Sequence, residues 1–277
     1  MCGTTSTLKN GIDNLSLHPG ADSPLSVLSG QTHAPEDFHL TRLFVPELHH
    51  TLNLADDENR ALVELTTSVA SEPGVHDLMD TLLSAEDPAT WKHCYRVGSL
   101  MAATSISLGL GRVETEVACR IGMLHDIGKS HPDVHAAIYN DCSLADNADV
   151  FTTIRQHPWY GVSLAMGHDN VSWNVLQGIG NHHALRDNQP YGVFDMNDLV
   201  TAPEENGKYP DVRRLISLVG LCDVLDALTV ERQLRARPYQ SRHSEPFTKE
   251  MIMANLDAIQ AADSIRQAVV RLTVLGE

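Results

Sequence analysis

At 277 residues with 42% hydrophobic content, the chain has enough apolar side chains for a sizeable core, which argues against wholesale disorder. A net charge of −16 argues against a surface built for nucleic-acid polymers, yet a small phosphorylated ligand stays compatible because bound cations reverse a local field. No apolar run reaches membrane-spanning length, no secretory signal is visible, and five cysteines without a C-x-x-C pair fit a reducing, cytoplasmic setting. In chain order, residues 1–35 are rich in Ser, Thr, Gly, Asn and Pro and read as a mobile arm. Residues 36–86 read as a helical extension with Leu62, Leu65, Val69, Leu78 and Leu82 in apolar register, interrupted by Pro46 and by Pro73-Gly74. The main domain is expected over 87–277. Asp87-Pro88 is a helix start, a capping carboxylate before a proline at the first helical position. That helix carries His93 on the face of Val97 and Leu100 and stops near Gly109-Leu110-Gly111.

A second helix is expected from Glu114 to about Lys129, with His125 on the face of Ile121 and Ala118. Pro132 and the polar stretch 140–147 break the pattern. Further helices are expected over about 149–156, from Pro158 onward with His157 at its start, and over 171–185 with His182-His183 near its end. A loop rich in Asn, Asp, Pro and Gly spans 186–209. An apolar helix with Asp223 follows over 212–230, then a final amphipathic helix over about 247–275. No hairpin turn joins alternating apolar runs, so the fold class is all-α.

Fifteen histidines are the compositional oddity. An isolated His-Asp pair such as His125-Asp126 reads either as a core histidine beside an Asp that reaches solvent or as a metal site. Burying the pair uncompensated is costly, and a cation is one remedy. Five blocks on separate helices favour the metal: His93, His125 with Asp126, His157, His182 with His183, and Asp223. Neutral imidazoles with carboxylates suit Fe or Mn, with Zn or Ni as alternatives, better than Ca or Mg. His131 and His135 are spaced i, i+4, but Pro132 lies between them, so a structural or surface role is expected. His168, read as lying further along the helix of His157, is also expected at the surface.

The order of these blocks resembles the HD-domain metal-dependent phosphohydrolases, and specifically their HD-GYP branch. His125-Asp126-Ile127-Gly128-Lys129 matches H-D-x-G-K, His157-Pro158-x-x-Gly161 matches the next motif, and His182-His183 matches the paired histidines. Asp223-Val224-Leu225-Asp226-Ala227-Leu228-Thr229 matches D-x-x-D-A-L-[TS], and Arg237-Pro238-Tyr239 is similar to the R-P-Y that follows. The likeness covers about residues 88–240. Three departures stand out: Ala184 replaces the Glu after the paired histidines, Asp187-Asn188-Gln189-Pro190-Tyr191-Gly192 is a degenerate form of D-G-x-G-Y-P, and Ala89 replaces a Glu tied to a third metal.

The resemblance implies an HD-domain helical bundle with an N-terminal helical extension, holding two divalent metal ions. It implies Asp126 as the bridging ligand, His93, His125 and Asp223 on one metal, and His157, His182 and His183 on the other. Lys129 would meet a phosphate oxygen, with Asp187, Tyr191 and Arg237 beside the substrate. The expected substrate is a small phosphorylated nucleotide, a cyclic or linear dinucleotide such as cyclic di-guanylate, with no nucleic-acid polymer or membrane partner and with a homodimer compatible. Competing expectations are a diiron oxygenase on the same fold and a non-catalytic nucleotide-binding signalling domain.

Overall fold

The computed structural model describes residues 52, 56–139, 148–187, 190–204, 210–229 and 248–273. The expected N-terminal arm, His49-His50 and Arg237 therefore lie outside the described residues, as do Asn188 and Gln189 of the degenerate loop. Among the described residues there is no strand, only an isolated antiparallel bridge between Arg186 and Ile259, and the expected all-α class holds. No described helix is long and apolar enough to cross a membrane.

Helices α1 (Asp56–Ala70) and α2 (Pro73–Ser84) bury Leu62, Val69, Leu78 and Leu82 against α3 (Pro88–Ser107) and α4 (Arg112–Leu124). Burying each such side chain contributes about 1.5–3 kcal/mol. Asp87 caps α3 by accepting from Thr90 N at 2.9 Å, and its Oδ1 also accepts from the Tyr139 hydroxyl at 2.7 Å. That second bond ties α5 (Pro132–Tyr139) to the start of the helix carrying His93. Helices α3 and α4 cross where Gly98 meets Gly122: a Cβ on Gly122 would stand 2.6 Å from Gly98 Cα. Only hydrogen at both positions permits this approach, and it brings the end of α4 beside His93. Arg120 on α4 forms a two-pronged pair with Glu72, at 2.7 and 2.6 Å, fixing α4 against the α1–α2 corner.

Helix α4 ends at Leu124, five residues before the expected end, because Asp126 opens a short 3-10 turn over Ile127–Ser130. Pro132 does not break the pattern; it is the first residue of α5, where its missing N–H costs nothing. Then come α6 (Ala148–Ile154), α7 (His157–Ala165), α8 (Trp173–Asn181) and α9 (Val212–Thr229). Helix α7 ends before His168, which is exposed in the following loop rather than on that helix.

Helix α8 shows why 171–185 is not one helix. Its buried polar stripe, Asn174, Gln177 and Asn181, grips the loop that follows. Asn181 Oδ1 accepts from Val193 N and Phe194 N at 3.0 Å each, while its Nδ2 donates to Phe194 O at 3.0 Å. Gln177 does the same with Val200 at 2.7 and 2.9 Å, and Asn174 with Ala202 at 2.8 and 3.0 Å. Three amides thus satisfy backbone groups that a loop would otherwise leave bare. The chain must turn at His182-His183 to run back along them.

The expected final helix is two, α10 (Lys249–Asp257) and α11 (Asp263–Arg271). The residues between them pair in extended form with the segment after His183: Asp187 N donates to Ala258 O at 2.9 Å and Gln260 N to Leu185 O at 2.9 Å. A continuous helix would keep those groups to itself.

Candidate metal centre

His93 projects from mid-α3, His125 stands at the C-cap of α4, Asp126 opens the 3-10 turn, His157 begins α7, His182 caps α8, and Asp223 lies inside α9. Helix termini supply four of these six positions. His125, His157 and His182 share one local device. Each ring places Nδ1 on a carbonyl three residues back: Gly122 O at 2.8 Å, Ile154 O at 2.7 Å and Ile179 O at 2.7 Å. A carbonyl only accepts, so Nδ1 carries the hydrogen and, in a neutral ring, Nε2 presents a bare lone pair to the interior. His93 is turned the same way by a carboxylate: its Nδ1 lies 2.7 Å from Asp226 Oδ2, and Arg96 holds both Asp226 oxygens at 2.6 and 2.8 Å.

Two groups of potential ligand atoms result, each with its atoms within 4.8 Å of one another: His93, His125 and Asp126, and His157, His182 and His183. The Asp126 carboxylate faces both. Its Oδ1 lies 3.1 Å from His157 Nε2 and 3.7 Å from His182 Nε2, and its Oδ2 lies 3.5 Å from His125 Nε2 and 3.7 Å from His93 Nε2. Asp223 adds Oδ1 at 3.2 Å from His93 Nε2 and 3.8 Å from His125 Nε2. Lys129 bonds Asp126 Oδ2 from the 3-10 turn, and Arg186 bonds Asp223 Oδ2 at 2.7 Å.

Electrostatics separate the two groups. Burial pushes His157 down; it pushes His182 and His183 well down, helped by neighbouring positive groups, so these three rings are neutral. Burial acts most strongly against charge on His125, but Asp126, Cys94 and Asp223 together outweigh it and hold His125 well above the usual imidazole range. Asp126 and Asp223 are held well below the usual carboxylate range despite their burial, Asp126 chiefly by Lys129 and His125, Asp223 by His125, His93 and Arg186.

Does this donor set fit cations? Three buried atoms of the donor residues have no hydrogen-bond partner: His125 Nε2, Asp126 Oδ1 and His183 Nδ1. Leaving such atoms bare costs about 1–3 kcal/mol each. More telling, His157 Nε2 and His182 Nε2 stand 3.0 Å apart. With both hydrogens spent on carbonyls, two lone pairs point at each other and at a carboxylate oxygen. Only a positive charge among them relieves that arrangement, and a divalent ion suits imidazole nitrogens. The residues fit a metal.

The remaining candidates divide. Tyr191 lies on the second group, its ring 4.5 Å from that of His183, with the Arg155 guanidinium carbon 4.6 Å from its own centroid. Asp187 is exposed, and its Oδ1 accepts from Gln260 Nε2 at 3.0 Å rather than facing either group. His131 stacks on Tyr160 at 3.6 Å and His135 packs on Tyr139 at 4.5 Å; neither joins the centre. The sequence assigned no role to Asp226, though it lies in the D-x-x-D motif, nor to Arg96 or Arg186. The second Asp of D-x-x-D, three residues beyond Asp223 on the same face, was the available signal for Asp226.

Residues 90–231 match the family model for the HD domain, a span that contains all seven proposed ligands. Over 172 residues the chain is 29% identical to a cyclic di-GMP phosphodiesterase of Pseudomonas aeruginosa. That match covers 61% of this chain and 37% of the relative, so the chain spans little more than a third of the relative's length. No solved structure matches the chain.

Proposed function

The chain belongs to the HD-domain family, and from that premise we propose that it is a metal-dependent phosphohydrolase of the HD-GYP-like type, cleaving a phosphodiester in a small cyclic or linear dinucleotide such as cyclic di-GMP. One observation carries the metal half of the proposal: the facing lone pairs of His157 and His182, 3.0 Å apart beside the unpartnered Asp126 Oδ1. The relative's activity on cyclic di-GMP supports the substrate half.

In this reading Asp126 with His93, His125 and Asp223 would hold one divalent ion, Fe or Mn by donor type, and Asp126 with His157, His182 and His183 would hold the other. Bound there, the ions would polarise the phosphoryl group and acidify a water to a nucleophile at neutral pH. The chain's own residues orient and balance that chemistry. Backbone carbonyls and Asp226 fix the ring tautomers, as outer partners of metal-bound histidines do. Lys129, already on Asp126, would meet a phosphate oxygen drawn into the centre and offset its charge. Tyr191 closes the His183 side against water. The degenerate loop keeps only its Asp and Tyr in register.

A cation on each of the two ligand carboxylates favours an anionic substrate over oxygen chemistry, and the full ligand set favours turnover over binding alone. The test is an anaerobic assay of the full chain loaded with Fe(II) or Mn(II), against cyclic di-GMP, its linear form and bis(p-nitrophenyl) phosphate. Metal-dependent ester cleavage without oxygen is expected. Oxygen-dependent turnover of a phosphate-free substrate would install the oxygenase instead, and tight nucleotide binding without cleavage would install the signalling domain.

A further inference from the structure

Each ligand carboxylate at the centre carries one cation, and the two cations are held differently. Lys129 reaches Asp126 from the adjoining turn. Arg186 reaches Asp223 across the fold, from the segment that follows His183. Asp223 divides its oxygens: Oδ1 faces His93 Nε2 at 3.2 Å and Oδ2 accepts from Arg186 Nη2 at 2.7 Å. The guanidinium therefore sits on the outer side of this carboxylate, and its charge acts on His183 and Tyr191 of the other group as well.

The root of Arg186 is fixed, and its side chain is partly exposed. Its backbone is clamped to Ile259 by the antiparallel bridge, with the flanking bonds from Asp187 N to Ala258 O and from Gln260 N to Leu185 O both at 2.9 Å. Yet the side chain is 32% exposed, and its Nε–H is buried with no acceptor. A guanidinium offers Nε–H and one Nη–H as a side-on fork that matches the two oxygens of a carboxylate or phosphate. Here Asp223 takes only the Nη2 prong. The Nε prong is an unused, charge-assisted donor beside the metal ligands.

Resting on the phosphohydrolase reading, we infer that Arg186 is a substrate-binding residue whose Nε–H receives a non-bridging phosphate oxygen while Nη2 keeps Asp223 in place. It supplies the phosphate contact on the Asp223 and His183 side, opposite the one Lys129 supplies on the Asp126 side. An anion there satisfies the Nε–H, and a phosphate oxygen of a dinucleotide has the right charge.

The test uses the full metal-loaded chain and compares wild type with Arg186→Ala, Arg186→Gln and Arg186→Lys. Metal content is read by elemental analysis, inorganic phosphate affinity by competitive inhibition, and bis(p-nitrophenyl) phosphate hydrolysis as separate KM and kcat. Loss of one charge-assisted hydrogen bond should weaken phosphate binding and raise KM by about 10- to 100-fold in Arg186→Ala, with two metals retained and kcat changed less. Arg186→Lys, which keeps charge but not the fork, should recover part of the loss. Added guanidinium ion should restore the phosphate affinity of Arg186→Ala. Unchanged phosphate affinity and KM with metal intact would overturn the inference and leave Arg186 as a pairing partner only. Metal loss in both Arg186→Gln and Arg186→Lys would overturn it in favour of a residue that positions Asp223. If wild type itself neither binds phosphate nor cleaves the ester, the phosphohydrolase reading fails first, and that is visible before any variant is compared.

Discussion

The two halves of the centre are built on different electrostatic plans. The His93–His125 half is rich in carboxylates: Asp126 and Asp223 face its rings, and Asp226 backs His93 with Arg96 behind it. The His157–His182–His183 half has imidazoles alone, apart from the shared Asp126 oxygen, and two of its three rings are oriented by backbone carbonyls. Carboxylates raise the affinity of His125 for positive charge of either kind, whereas burial keeps the other three rings neutral and ready to donate. The lesson is that one site can prepare a ligand in two ways. The His93–His125 half adds charged partners from distant helices to the carbonyl that orients His125, whereas the other half relies on carbonyls alone for His157 and His182, which cost no further side chains.

The sharpest way to break the comparison is to remove the one group both halves share. Asp126→Ala should take both ions and reduce hydrolysis below about 1% of wild type, a larger loss than the ~10–100-fold cost of deleting an outer partner. Its helical circular dichroism should stay close to wild type. Retained activity with metals in place would show that the halves do not meet at Asp126. Next in size is Asp226→Ala, which strips the carboxylate behind His93. Metal affinity should fall about 10–100-fold in the His93 half alone, so titration would show one tight and one weakened ion. Equal weakening of both would mean that the plans are not separate.

Gly128→Ala tests the seam between the halves. Its Cβ would stand 1.9 Å from His157 O and 2.5 Å from Gly161 N, backbone atoms that move only with α7. Thermal unfolding of the metal-free chain should show a loss of about 1–3 kcal/mol, and the loaded form should lose coupling between its ions. The smallest effect is expected at Tyr191→Leu, which removes the ring between His183 and Arg155. A stability loss of about 0.5–1 kcal/mol with both ions retained would confirm that this ring closes the neutral half without ligating in it.

The helical skeleton was readable because its signals are local. Asp87-Pro88 and the apolar face of α3 foretold that helix closely, and the spacing of His125 from Ile121 foretold an inward ring. What was not readable depends on residues distant in sequence. The split of the last helix follows from extended pairing of residues 258–260 with 185–187, a partner some seventy residues away. The end of α8 follows from amides gripping a later loop; the stripe Asn174, Gln177, Asn181 was visible at helical spacing, but polar residues on a buried face do not announce what they bind. The proposed ligands stood out through residue type and order. Asp226, Arg96 and Arg186 did not, since an Asp or Arg on a helix or in a loop reads as a solvated surface charge until the opposing ring or carboxylate is in place.

The claim on which the rest depends is that Asp126 joins two cations through its two oxygens. Electron paramagnetic resonance of the full chain loaded with two equivalents of Mn(II) tests this most directly. An exchange-coupled dimanganese signal, lost in Asp126→Ala, is the predicted result. A spectrum of isolated Mn(II) ions at full occupancy, or saturation at a single ion per chain, would contradict it.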